Sequence, residues 1–160
     1  MKKLLFIVSF IFSFSLFAQS ADEREIYSLI INSFTEKDIQ INNKLFRVSY
    51  EDGLGEKEEY DIFMKRFLFL KKSTYKDFIK NNKEIRTINN DFNSDKNITI
   101  IDSNNNERIV FSSFGFDVSK TQALVQYKKS EIFVMLFEKK DGKWFLKEEK
   151  KLMDLLNNSF

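Results

Sequence analysis

The last third of the chain places three strand-like runs so close together that only one kind of pairing is open to them. Gln122 to Lys128, Glu131 to Glu138 and Lys143 to Glu149 are separated only by short turns. A parallel partner would need a crossover of roughly a dozen residues or more, so the runs are expected to form an antiparallel meander. Ile98 to Ile101 and Arg108 to Phe116 are read as strands preceding it. They flank Asn104-Asn105-Asn106, where asparagine tolerates left-handed backbone.

The first half carries a different period. Asp22 and Glu25 are spaced as a capping box, and Ile26, Leu29, Ile30 and Phe34 follow at helical intervals. Tyr27 and Ile31 widen that stripe, and a helix is expected to about Glu36. Phe46, Val48 and Tyr50 then alternate with Arg47 and Ser49 as a short strand would. Tyr60, Phe63, Met64, Phe67, Leu68 and Leu70 make a second helical stripe, with a break expected near Ser73, where Thr74 and Asp77 offer a new cap. Leu152, Leu155 and Leu156 add a final helical turn. The expected class is α+β, with N-terminal helices packed on a C-terminal antiparallel β-meander.

Residues 1–20 stand apart. Met1-Lys2-Lys3 precedes an apolar run from Leu4 to Ala18, and the chain turns polar at Gln19. This is the pattern of a secretory signal peptide, and the run is short of the ~20 apolar residues a spanning helix needs. Cleavage is expected after Ala18, with Leu16 at −3, or after Ser20, with Ala18 at −3. Residues 21–160 are read as a single domain, periplasmic or secreted, with no membrane insertion after the leader is removed. No cysteine follows the leader to carry a lipid anchor.

The leader holds two of the 26 basic residues and none of the 24 acidic ones, so the remaining chain is neutral. Nucleic-acid binding needs a basic footprint and is not expected. The chain has no histidine and no cysteine, which removes Ser-His-Asp and Cys-His catalysis, the usual zinc sites and disulfides.

Three local patterns invite chemistry. Gly53 and Gly55 bracket Leu54, but no GK[ST] follows and Glu51, Asp52, Glu56, Glu58 and Glu59 would repel phosphate, so a connector is expected. Asp91, Asn93, Asp95, Thr99 and Asp102 fall at oxygen-bearing positions of a calcium loop. Lys96 takes the place of the turn glycine and Asp102 that of the bidentate glutamate, so no metal and no cofactor is expected. Glu58, Glu59 and Asp61 supply carboxylates that glycoside hydrolysis would need, and a charged helix start accounts for them equally.

Between Ser112 and Leu146 the chain carries Ser113-Phe114-Gly115-Phe116, Thr121-Gln122-Ala123-Leu124-Val125 and Leu136-Phe137-Glu138-Lys139-Lys140-Asp141-Gly142-Lys143-Trp144. These residues resemble a family of uncharacterised exported proteins of Bacteroidetes bacteria, whose opening helix is similar to Glu25-Ile26-Tyr27. The E-K-x-D-G-K-W run is also similar to the closing hairpin of cystatin-like and NTF2-like domains. The resemblance implies export and a helix on a curved antiparallel sheet, and it implies no catalytic residues. The chain departs from that family in a shortened stretch before Ser112 and in its Leu-Met-Asp-Leu-Leu ending.

The turns set which residues share a face. A two-residue turn at Lys129-Ser130 would set Tyr127 against Ile132, Val125 against Val134 and Ala123 against Leu136. A three-residue Lys140-Asp141-Gly142 loop would add Trp144 and Leu146 to that face, and a two-residue Asp141-Gly142 turn would swap them to the other. The first choice segregates residues better and leaves Leu124, Phe133, Met135, Phe137 and Phe145 on a mixed face beside Gln126 and Lys147. Either the Phe63-Phe67-Leu70 helix covers that face, or it is a binding surface for a protein partner, a second copy or a small apolar ligand. The expected function is that of an exported, non-catalytic binding domain. The alternative is a carboxylate-dependent hydrolase of envelope polysaccharide.

Overall fold

Ser20 starts the first helix, two residues before the expected cap. The structure, a computed structural model, describes residues 19–46, 56–102 and 108–157. The leader to Ala18, the alternation after Phe46, the Gly53/Gly55 connector and the Asn104-Asn106 turn lie outside the described residues. Helix α1 is Ala21–Ser33. The Ser20 hydroxyl accepts from the Glu23 amide (3.2 Å) and the Glu23 carboxylate accepts from the Ser20 amide (2.7 Å), a complete capping box. Asp22 is thereby free to face the sheet.

Strand β1 is Asp38–Asn42, and α2 (Glu56–Arg66) and α3 (Lys72–Asn81) follow; the break between them falls at residues 67–71, ahead of Ser73, and the cap is Lys71 rather than Thr74 or Asp77. Asn97–Ile101 forms β2, and two short strands, β3 (Val110–Phe111) and β4 (Gly115–Phe116), replace the single expected run. The meander is β5 (Gln122–Lys128), β6 (Ile132–Lys140) and β7 (Lys143–Lys151), closed by α4 (Leu152–Asn157). The five-stranded antiparallel sheet makes the class α+β: β3, β5, β6 and β7 lie in that order, with β4 also on β5. Strands β1 and β2 pair parallel. Ile41 bridges to Ile109 just before β3, which joins the two sheets. No described helix is long and apolar enough to cross a membrane.

The register of the meander differs from expectation at both turns. Lys128 pairs with Ile132 and Tyr127 with Phe133, leaving a three-residue loop, Lys129-Ser130-Glu131. A two-residue hairpin needs φ > 0 at its turn residues, and Lys129-Ser130 supplies neither glycine nor asparagine. At the second turn Lys140 pairs with Lys143. Asp141 (φ 52°) and Gly142 (φ 78°) form the two-residue turn that their residue types favour. Each change moves the next strand by one residue, which exchanges its faces.

Both faces of the sheet are therefore core. Ala123, Val125, Tyr127, Met135, Phe137 and Trp144 pack with Ile26, Tyr27, Ile30 and Ile31 of α1 and with Ile39 and Ile41 of β1. On the other side Leu124, Val134 and Leu136 pack with Phe63, Phe67, Leu70 and Phe78 of the α2–α3 segment and with Leu155 of α4. The sheet is the middle of three layers, which explains why its strands show no clean polar face.

Candidate functional site

The corrected register divides the five residues that the sequence singled out. Leu124 is enclosed beneath α2 and α3, while Met135 and Phe137 are enclosed beneath α1. Phe133 is half-buried and stacks on Tyr127 with ring centroids 5.0 Å apart. Phe145 stays 54% exposed, on the face opposite Phe137, because it pairs with Glu138. The five do not compose one surface. Leu68 and Phe69 are exposed too, and Lys147 lies 4.5 Å over the Phe69 ring.

The calcium-like stretch is tied to α1 and runs on into β2. Asp91 pairs with Arg24, the Asn93 amide donates to the Ser28 hydroxyl (2.9 Å), and Asn97 onward is β2. Among the described residues no group of three or more acidic side chains is placed to hold a metal. Glu58 and Asp61 are exposed on α2.

A pocket of about 360 Å³ opens instead at the start of α1. Tyr27, Leu45, Ile88 and Ser113 form its buried floor, with Gln19, Glu23, Ile85 and Arg86 among the residues of its wall and rim. The rim segment is tied down by backbone bonds: Leu45 donates to the Arg86 carbonyl and Ile88 to the Asn43 carbonyl, both at 2.8 Å. Isolated Ile85 and Ile88 sit in an Asn- and Lys-rich stretch, where no periodicity marked them as a wall.

The floor is fixed by Asn82 of the turn after α3. Its side-chain oxygen accepts from the Ser113 amide (2.8 Å) and its Nδ2 donates to the Ser113 carbonyl (3.0 Å). Both backbone groups of Ser113 are thus satisfied. Tyr27 donates its hydroxyl to the Ser112 carbonyl (3.2 Å). Burial pushes that phenol far above its ordinary value, the Glu23 charge adds to this and Arg86 opposes it, so Tyr27 remains a donor.

Two polar atoms of this pocket have no partner. Ser113 is only 3% exposed, and its Oγ makes no hydrogen bond. Gln19 accepts from the Asn89 amide through Oε1 (3.3 Å), which leaves its buried Nε2 unmatched. Buried polar groups are normally paired, and an unpaired one costs about 1–3 kcal/mol. Two of them on one pocket mark where a bound group would fit. With no base bonded to Ser113 Oγ, the hydroxyl lacks the activation a nucleophile requires.

No family model, no curated protein and no solved structure matches the chain.

Proposed function

We propose that the chain is an exported, non-catalytic binding domain, periplasmic or secreted, whose ligand enters the pocket at the start of α1. The observation that carries this reading is the unpartnered Ser113 hydroxyl on a floor otherwise closed by Tyr27, Leu45 and Ile88. A pocket of about 360 Å³ suits a small ligand or the end of a peptide. Export is supported by the leader, and the absence of histidine and cysteine turns the reading away from common catalysis. The enclosed Leu124, Met135 and Phe137 serve as core in this reading, and the exposed Phe145 stands on the face of Leu124, opposite Met135 and Phe137.

A small-molecule screen on the leader-free chain, followed by amide NMR, tests it. Ligands should move the signals of Ile85, Arg86 and Ser113. A screen that moves only Leu68, Phe69 and Phe145 would transfer the function to that surface and end the pocket reading.

A further inference from the structure

We infer that the pocket selects an uncharged ligand bearing a carbonyl oxygen on an apolar body, an amide or ester rather than an acid or an amine. The inference rests on the reading that this pocket is the binding site. The two buried, unpartnered polar atoms of the pocket can both donate. Gln19 Nε2 can only donate, and its oxygen is already taken by the Asn89 amide. The Ser113 hydroxyl is free to donate as well. The Tyr27 hydroxyl is committed to the Ser112 carbonyl, and Glu23 Oε2 accepts from the Ser20 amide.

Charge narrows the choice further. Glu23 and Glu84 line the pocket against a single Arg86, so a carboxylate would enter a site with more negative than positive side chains. An ammonium group suits that balance but has no lone pair to offer the two free donors. A carbonyl meets neither objection, and its lone pairs can accept from Ser113 Oγ or from Gln19 Nε2. The apolar body then covers Tyr27, Leu45 and Ile88, with Ile85, 65% exposed on the rim, closing over it.

Three matched probes test this on the N-acetylated chain from Ala18 onward, which keeps Gln19 within the chain and adds no ammonium: 4-phenylbutanamide, 4-phenylbutanoate and 4-phenylbutylamine, titrated by amide NMR. The amide should bind at least tenfold more tightly than either charged analogue. Ser113→Ala should weaken it about tenfold, the loss of one desolvated hydrogen bond. Gln19→Leu tests the second donor in the same way. Tighter binding of the acid or the amine, or amide binding unchanged in both variants, would overturn the inference while leaving the pocket as the site. If none of the three perturbs Ile85, Arg86 or Ser113, the inference and the pocket reading fall together.

Discussion

Ser112 and Ser113 are neighbours of one type, both buried, and they separate structural from functional polarity. The Ser112 hydroxyl accepts from the Gln126 amide (2.8 Å) and donates to the Ser113 carbonyl (3.0 Å). The Ser113 hydroxyl does neither. Ser112→Ala should therefore cost about 1–3 kcal/mol by leaving a buried amide unmatched. Ser113→Ala should cost nothing and raise stability by up to about 1–3 kcal/mol, since it removes a buried group that folding leaves unpaired. Urea denaturation of the two variants checks this, and equal losses would mean that Ser113 has a structural partner after all. Gly115 is the other decisive residue. A Cβ there would lie 2.2 Å from the Phe78 amide nitrogen and 2.4 Å from its Cα, in the backbone of α3. Gly115→Ala should cost about 3 kcal/mol, because a helix backbone cannot yield as a side-chain tip can. Thermal melting reads that loss. The same contact gives a physical reason for glycine in the Ser113-Phe114-Gly115-Phe116 run.

Among the elements, α1 depends most on how the chain begins. Its cap is Ser20, and the Gln19 side chain is both pocket wall and acceptor for Asn89. A chain starting at Ala21 loses both and places a free ammonium at the positive end of the helix, which is unfavourable. It should melt about 4 °C below a chain starting at Gln19, the effect of roughly one cap. Calorimetry of the two chains checks it. Much of this architecture was legible in the sequence. The α1 stripe, the break between α2 and α3, the limits of β5 and the closing turn of α4 follow from apolar spacing. The register was not, because segregation of polar from apolar residues is a poor criterion here. That criterion works for a sheet with one wet face, and here both faces are covered. Turn chemistry was the better guide: Asp-Gly announces a two-residue turn, and Lys-Ser lacks the residues for one. Strand β1 was missed because Asp-Ile-Gln-Ile-Asn offers only two apolar residues. The pocket was illegible for a different reason. Gln19, Arg86 and Ser113 are far apart in the chain, and an unpaired hydroxyl has no signature before its neighbours are known.

At the scale of the whole molecule, each outer layer is tied to the sheet by an aspartate that bonds to a lysine. Asp22 of α1 accepts from the Lys139 ammonium (2.6 Å) and the Trp144 indole (2.9 Å), fastening α1 to β6 and β7. Asp117 accepts from Lys71 at the cap of α3 (2.7 Å), and from the Thr121 (2.6 Å) and Gln122 (2.7 Å) amides that open β5. Burial pushes each carboxyl up, but these bonds outweigh it together and hold both below the ordinary value of 3.8. A carboxyl with a depressed folded pKa adds stability that is complete above its unfolded pKa and is lost as pH falls through the folded one. Acid should therefore loosen both layers below about pH 4. The urea midpoint should hold from pH 7 to about 5 and fall steeply towards pH 3, followed by the fluorescence of Trp144, the one tryptophan. Asp22→Asn and Asp117→Asn should each start lower at pH 7 and lose less on acidification, because the group that titrates has been removed. Fluorescence resolves the two layers, since only Asp22 touches the indole: Asp22→Asn should alter the folded-state emission at pH 7, and Asp117→Asn should not. If both variants keep the full acid loss of the parent chain, other carboxylates carry the pH dependence and the aspartate pins are not its source.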